Sequence, residues 1–251
     1  MTADNTYDNE FYTTLNKSSE VAADIYIEYL FKYFRPGSVA DIGCGHAAWL
    51  KASKKYGSSK HTGVDGIWND GKLIQELGFK FVCKNLDIMD ESIEQHDLAI
   101  SLEVAEHLKP ESSENFIEQL TKISDVILFS AAFTNQGGTN HINERNPSFW
   151  GNLFSERDYV AFDLFREKFW GDERVGFWYR QNCFLYCKKG SPHYYELIKQ
   201  NIRVVENLDF LDCVHPSLFM TKCGEGIGFL AHARGIVPSL FKAVARVIKK
   251  K

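Results

Sequence analysis

Apolar residues along this chain follow two alternating rhythms. From Ser18 to Phe34, Ala22, Ile25, Tyr26, Tyr29, Leu30, Tyr33 and Phe34 recur at helical spacing until Pro36-Gly37 stops the run, which predicts a helix. Ser38–Ile42 is then a short apolar run, the mark of a buried strand, and a helix is expected over 47–56. The strand pattern returns at His61–Gly66, Phe79–Lys84, His96–Leu102 and Val126–Phe133. Between these runs, Leu73, Ile74 and Leu77 ahead of Gly78, and later Phe116, Leu120 and Ile123, supply helical faces. Short apolar strands alternating with helices predict an α/β protein with a doubly wound, mostly parallel sheet covered on both faces.

After residue 133 the rhythm changes. Asn146-Pro147 has the form of an N-cap followed by proline at the first helical position, and Phe149, Trp150, Leu153 and Phe154 give that helix an apolar face. Val160–Phe165 and Trp178–Lys188 read as two further strands, an antiparallel pair at one edge, which brings the sheet to seven strands. The expected organisation is an N-terminal helical segment or lid over 1–37, with Tyr7, Phe11 and Tyr12 as lid candidates, a central domain over 38–189 and a helical C-terminal extension over 190–251. Ile236–Lys251 holds five basic residues and no acid, with Leu240, Phe241, Val244, Val247 and Ile248 on one helical face. A basic amphipathic helix of this kind suits peripheral contact with a membrane surface or an acidic partner.

Composition narrows the possible functions. The 251 residues are 44% hydrophobic and 14% aromatic, enough for a sizeable core, and the formal net charge of −4 argues against nucleic acid as the main partner. Six cysteines without paired CxxC spacing point to a reduced, cytosolic protein. The polar, acidic Met1–Asp8 is not a signal peptide, and no apolar run approaches the roughly 20 residues of a spanning helix.

The most informative run is Ser38–Trp49, a buried strand, a tight glycine turn and the first turn of a helix. Glycine lets backbone approach a nucleotide-like ligand with no Cβ in the way, and Gly43-x-Gly45-x-x-Ala48 satisfies the dinucleotide fingerprint. That leaves NAD(P) and S-adenosylmethionine. Asp41, two residues before the first glycine, separates them: a carboxylate there repels a pyrophosphate but suits a ligand carrying an ammonium and a sulfonium. The remaining acids fall at strand ends, where a doubly wound sheet binds its ligands. Gly43, Cys44 and Gly45 with the following helix N-terminus would hold the methionine carboxylate. Asp65, twenty residues after Gly45, and Gly66 close the second strand at the place for ribose hydroxyls. Asp87 suits the adenine amino group, with Ile88 packing on the ring. Leu102 and Glu103 close the fourth strand beside them.

Val39-Ala-Asp-Ile-Gly-Cys-Gly45 resembles the first motif of the class I, seven-stranded, Rossmann-like S-adenosylmethionine-dependent methyltransferases. Asp65 and Asp87 match the acids after their second and third strands, and Leu102–Leu108 resembles the segment after their fourth. The likeness spans roughly residues 20–188. Phe129–Phe133, Gln136–Glu144 and Trp178–Asn182 are similar to a bacterial branch associated with glycan or secondary-metabolite biosynthesis, which implies a small-molecule or sugar acceptor. Some methyltransferases that this segment resembles bind a divalent cation through an E-x-x-E-H run and a later histidine.

Methylating a hydroxyl requires a base, and histidine suits that task near neutral pH. His107 after the fourth strand and His141 in the glycine-rich loop after the fifth are the candidates, with Glu106 beside them. Glu103, Glu106 and His107, at i, i+3 and i+4, share one face if a helix begins there, and with His141 would make a metal constellation. Glu103 reads equally well as a lining of the cofactor site, so a divalent metal is the unfavoured alternative. Asn140, Asn143 and Glu144 offer hydrogen bonds to a polyol, and Trp150, Trp170, Trp178 and Tyr179 offer faces for a sugar ring, although Trp150, on its helical face, reads first as core. The leading expectation is an O-methyltransferase for a small polar or sugar-containing acceptor. A nicotinamide-dependent oxidoreductase and a catalytically inactive scaffold with the same fold are the alternatives.

Overall fold

In this computed structural model residues 6–89 and 93–227 are described, with side chains described over 18–89 and 93–223. The basic segment 236–251 and the side chains of Tyr7, Phe11 and Tyr12 lie outside the described residues. The elements are α1 (Thr6–Leu30), β1 (Ser38–Ile42), α2 (Ala48–Lys55), β2 (Lys60–Asp65), α3 (Lys72–Glu76), β3 (Lys80–Cys83), β4 (Leu98–Leu102), α4 (Ser113–Ile123), β5 (Val126–Ser130), α5 (Pro147–Ser155), β6 (Tyr159–Phe162), α6 (Arg166–Phe169), α7 (Phe177–Asn182), β7 (Phe184–Lys188), α8 (Pro192–Lys199) and α9 (Pro216–Ile227). The seven strands form one sheet in the order β3-β2-β1-β4-β5-β7-β6, with β1 to β5 parallel and β7 antiparallel to both β5 and β6.

Alternate side chains of each strand serve opposite layers. Val126 and Leu128 of β5 join Leu98 and Ile100 of β4 in a core with Ala22, Tyr26, Ile27 and Leu30 of α1 and Leu50 of α2. Ile127 and Phe129 face the other way, onto Phe116, Ile117 and Leu120 of α4 and Trp150, Leu153 and Phe154 of α5. Both faces are therefore buried, and that is why the strands read as nearly continuous apolar runs. The connections from β1 run to β2 on one side and, through β3, to β4 on the other, so the topological switch point lies beyond the carboxyl ends of β1 and β4.

The structure alters two expected elements. Trp178–Asn182 is helix and only Phe184–Lys188 is strand. Arg180, Gln181 and Asn182 are buried and held by tertiary hydrogen bonds: Arg180 Nη1 donates to the Trp170 carbonyl at 2.9 Å and Asn182 Nδ2 to Gln136 Oε1 at 2.9 Å. Local apolar pattern carries no sign of such distant partners. Asn146 does occupy the N-cap of α5, but its side chain makes no cap bond. Asp212, far along the chain, accepts instead from Ser148 N (2.7 Å), Ser148 Oγ (2.7 Å) and Asn146 Nδ2 (3.1 Å).

The chain divides into two compact units, Met1–Cys213 and Val214–Lys251. The first runs past residue 189, because Val204 bridges to Phe162 and Val205 N donates to the Ala161 carbonyl at 2.9 Å. In the second, Ser217 N at the start of α9 donates to His215 Nδ1 at 3.1 Å. Among the described residues no helix is long and apolar enough to cross a membrane, and all six cysteines are free.

Away from the switch point, His61 bonds Ser58 Oγ at 2.6 Å and packs on Phe79. Burial, reinforced by the nearby Lys54 charge, lowers its pKa to about 4. The unfolded histidine takes up its proton near pH 6.5, whereas the folded one resists until about pH 4. Stability contributed by neutral His61 is therefore present above pH 6.5 and is lost as the pH falls toward 4. Thermal melts are expected to drop by several degrees between pH 7 and pH 5, and His61→Gln should flatten that dependence.

Candidate active site

The turn after β1 is shaped for close approach. Gly43 has φ +84°, and a Cβ there would lie 2.4 Å from Val104 Cγ2. Gly45 has φ +47° with open space where its Cβ would be, and Ala47, the N-cap of α2, is left-handed at φ +59°. Gly43 N and Cys44 N donate to the Val64 carbonyl (2.8 and 3.1 Å), which ties the turn to β2. Asp65 Oδ2 accepts from Gly45 N at 2.9 Å and from Asn69 Nδ2 at 3.1 Å, while Oδ1 accepts from Gly66 N at 2.8 Å. Asn69 also donates to the Gly45 carbonyl at 2.9 Å. The second-strand acid thus builds the glycine turn as well as facing it.

Asp41 lies beneath this turn, buried, and its Oδ2 has no hydrogen-bond partner among the described residues. Burial, then the charge of Asp65, pushes its pKa up to about 8. Asp87 sits in a single 3-10 turn (Leu86–Ile88), where its Oδ1 accepts from Lys109 N (2.8 Å) and Ser112 Oγ (3.0 Å). That oxygen anchors the segment after β4. Ile88 and, beyond β2, Ile67 and Trp68 expose most of their apolar surface beside these acids.

At the end of β4, Leu102 is buried and Glu103 adopts a left-handed backbone at φ +55°, a costly state for a residue with a Cβ. Its Oε1 accepts from Ser130 Oγ of β5 at 2.8 Å and its Oε2 from Gln136 Nε2 at 3.3 Å. Gln136 Oε1 in turn accepts from Asn182 Nδ2 of α7. Burial raises the Glu103 pKa, and these donors oppose the rise.

Glu106 is fully buried, and neither carboxylate oxygen has a hydrogen-bond partner among the described residues. Its pKa is raised well above the usual range, first by burial and then by Glu103, with the nearby backbone amides of Glu106 and Ala132 opposing. One potential ligand atom from each of Glu106, His107 and His141 lies within 4.8 Å of the others. The two imidazoles meet edge-on with ring centres 4.9 Å apart. His107 Nδ1 faces the Asn140 carbonyl at 3.3 Å, and His141 Nδ1 faces Glu144 Oε1 at 2.9 Å. Loss of water around its ring, then His141, lowers the His107 pKa.

The structure thus assembles Glu106, His107 and His141 and sets Glu103 apart in its own network. A helix beginning at Glu103 would have put Glu103, Glu106 and His107 on one face. Only a short 3-10 turn over Ala105–His107 forms there. Asn143 is buried rather than open to an acceptor: its Nδ2 donates to Ser113 Oγ at 2.9 Å and its Oδ1 accepts from Arg145 Nε at 3.0 Å. Trp150 and Tyr179 belong to the core, with no face for a sugar. Ser130, Gln136 and Asn182 lie in the three segments whose likeness to a bacterial branch the sequence shows, but their part in holding Glu103 was not legible, since it depends on hydrogen bonds between residues distant in the chain. Gly138 had a signal, the glycine pair, but its reason is tertiary: a Cβ there would lie 2.3 Å from His141 Nε2.

No protein-family model matches this chain, and no curated protein matches it in sequence. Solved structures do match. An O-methyltransferase family protein from Burkholderia thailandensis superposes with a TM-score of 0.55 at 15% identity, covering 73% of this chain and 60% of that one. The plantazolicin methyltransferase in complex with S-adenosylhomocysteine gives 0.51 at 16% identity over 73% and 89%. The magnesium protoporphyrin IX methyltransferase of Synechocystis with bound S-adenosylhomocysteine gives 0.50 at 15% identity over 68% and 83%. The fold of this chain is the α/β methyltransferase fold.

Proposed function

We propose that this chain is an S-adenosylmethionine-dependent methyltransferase that O-methylates a small, polar, sugar-containing acceptor. The observation that carries the cofactor is Asp41, a buried carboxylate with an unpartnered oxygen under a glycine turn that excludes side chains. An ammonium group answers that oxygen and a pyrophosphate would be repelled by it, which counts against a nicotinamide enzyme. Gly43, Cys44 and Gly45 would hold the methionine part with Asp41, Asp65 and Gly66 the ribose, and Asp87 and Ile88 the adenine. Leu102 and Glu103 would line the pocket at the methyl-bearing end.

The cofactor supplies an electrophilic methyl on a sulfonium. The protein contributes position, worth roughly 7–11 kcal/mol when the reacting atoms are aligned. Glu103, locked from β5 and α7, separates the cofactor pocket from the acceptor pole of Glu106, His107 and His141. That pole gathers basic groups where a hydroxyl must lose its proton. The occurrence of such a pole argues against a merely structural scaffold.

Binding tests the cofactor directly. S-adenosylmethionine and S-adenosylhomocysteine at 100 times their dissociation constants should each add about 2.7 kcal/mol, a Tm rise of about 5–10 °C for a chain of this size, while NADH and NADPH add nothing. In the free protein at pH 7, Asp41 holds a proton, because its pKa is near 8. Pairing with an ammonium releases it. Calorimetry at pH 7 in buffers of different ionisation enthalpy should show close to one proton released per cofactor bound, with affinity rising toward pH 8, and Asp41→Asn should abolish the release. Stabilisation by a nicotinamide nucleotide instead would overturn the proposal.

A further inference from the structure

We propose that Arg180 receives an anionic group of the acceptor, a carboxylate or a phosphate, so that the acceptor is an acidic sugar rather than a neutral polyol. The acceptor half of this inference rests on the methyltransferase reading; the anion site stands on its own geometry. Among the described residues Arg180 is the one buried lysine or arginine, with 8% of its surface exposed. Its guanidinium forms no ion pair among them. Asp172 feels the Arg180 charge, but its carboxylate is forked onto Arg174, at 2.9 Å from Nε and 2.6 Å from Nη2. A buried charge is costly unless a counter-charge meets it. Asp41 and Glu106 escape that cost by holding a proton, as their raised pKa values show. A guanidinium has no such route, because it stays protonated in proteins.

The unused donors define the missing partner. Arg180 Nη1 donates to the Trp170 carbonyl at 2.9 Å, whereas the buried Nε has no hydrogen-bond partner among the described residues. The edge of a guanidinium offers parallel N–H donors that match a carboxylate or phosphate. A second unpartnered group lies within reach of the same charge. Tyr26 Oη is buried without a partner among the described residues, and its ring is fixed by stacking on Phe165 and Phe169, with centres 4.7 and 4.9 Å away. A phenol O–H beside a guanidinium edge is a donor set that carries no negative charge, and it suits an anion.

The position of α7 ties this pair to the acceptor. Arg180 precedes Asn182 by two residues, about 3 Å of helix rise. Asn182 Nδ2 donates to Gln136 Oε1, and Gln136 Nε2 donates to Glu103. Tyr179, the residue before Arg180, feels the Glu103 charge and packs edge-on against Trp49 of α2, with ring centres 5.5 Å apart. The helix bearing Arg180 therefore borders both the Glu103 network and the helix that follows the glycine turn. The anion is held there and not transformed; anchoring it fixes which hydroxyl of the sugar is presented for methylation.

The test is calorimetric titration of the full chain, with and without S-adenosylhomocysteine, using glucuronate, glucose 6-phosphate and glucose as probes. Saturable binding of an acidic sugar and none of glucose is expected. Arg180→Met should abolish that binding, and Tyr26→Phe should weaken it about tenfold, while S-adenosylhomocysteine affinity stays unchanged in both. Melting of the ligand-free protein separates this role from a structural one. A methionine side chain removes an unpaired buried charge and a phenylalanine removes an unpartnered hydroxyl, so both variants should melt at or above the temperature of the unaltered chain. Glucose binding as tight as that of the acidic sugars, no saturable binding of either acidic sugar up to about 10 mM, or acidic-sugar binding that persists in Arg180→Met overturns the site. A Tm lower by several degrees in both variants makes the pair a structural tie and overturns it too. Loss of S-adenosylhomocysteine affinity in Arg180→Met would assign the guanidinium to the carboxylate of the cofactor and overturn the acceptor role. Binding of the acidic sugars by a chain that does not bind S-adenosylhomocysteine would leave the anion site standing and sink the methyltransferase reading.

Discussion

His107→Ala and His141→Ala are each expected to lower kcat about 10²- to 10⁴-fold, the range over which proton removal from an acceptor is assisted, while S-adenosylhomocysteine affinity stays near that of the unaltered protein. The two rings belong to the proposed acceptor pole, so the split between turnover and cofactor binding is the diagnostic. Gly138→Ala reaches the same pole indirectly. Its Cβ would stand 2.3 Å from His141 Nε2, and because Glu144 holds that ring, the ring must break its 2.9 Å contact to move. A turnover loss in Gly138→Ala with intact cofactor binding is expected. Full turnover in both histidine variants would remove the pole from the mechanism. Equal losses in turnover and cofactor affinity would mean that the loop supports the cofactor pocket instead.

Gly43→Ala should produce the largest loss of cofactor binding from a single methyl group. Two separate costs fall on it. The left-handed backbone at φ +84° costs a residue with a Cβ about 1–2 kcal/mol, and the collision with Val104 Cγ2 at 2.4 Å adds about 1–3 kcal/mol of overpacking. Relief by displacement would move Val104 and the neighbouring Glu103, whose left-handed backbone N–H bonds Ser130 and whose carboxylate accepts from Ser130 and Gln136. The expected outcome is a Tm lower by several degrees and S-adenosylhomocysteine binding weakened at least about 100-fold, or roughly 2.7 kcal/mol. Val104→Ala in the same chain removes the collision but not the backbone strain, so it should restore stability in part and affinity incompletely. Complete rescue would show that packing alone governs the turn.

The features legible in the sequence are those encoded by adjacent residues. Strands β1, β4 and β5 announce themselves as short, mostly apolar runs, because both of their faces are buried; β2 carries mostly polar residues and β3, at the sheet edge, is only partly buried. The glycine turn is legible because a positive φ and a Cβ-free approach are demands on single residues, met at Gly43 and Gly45. Asp41, Asp65, Asp87, His107 and His141 could be placed toward the carboxyl edge of the sheet because strand ends set that edge. Other features depended on residues that meet only in the folded chain. Asp212 caps α5 from 64 residues away, and Glu103 is held by Ser130 and Gln136, 27 and 33 residues further on. Asn182 reaches back 46 residues to Gln136, one of the tertiary hydrogen bonds made by Trp178–Asn182, which is helix despite reading as strand. Tertiary structure also separated Glu103 from Glu106. Spacing placed both on one helical face, but the left-handed turn at Glu103 sends its carboxylate toward β5 and leaves that of Glu106 buried with the two imidazoles. Local pattern records how much of a segment is buried; which polar atoms meet there is decided by distant chain, because hydrogen bonds and clashes depend on distances that sequence neighbours do not set.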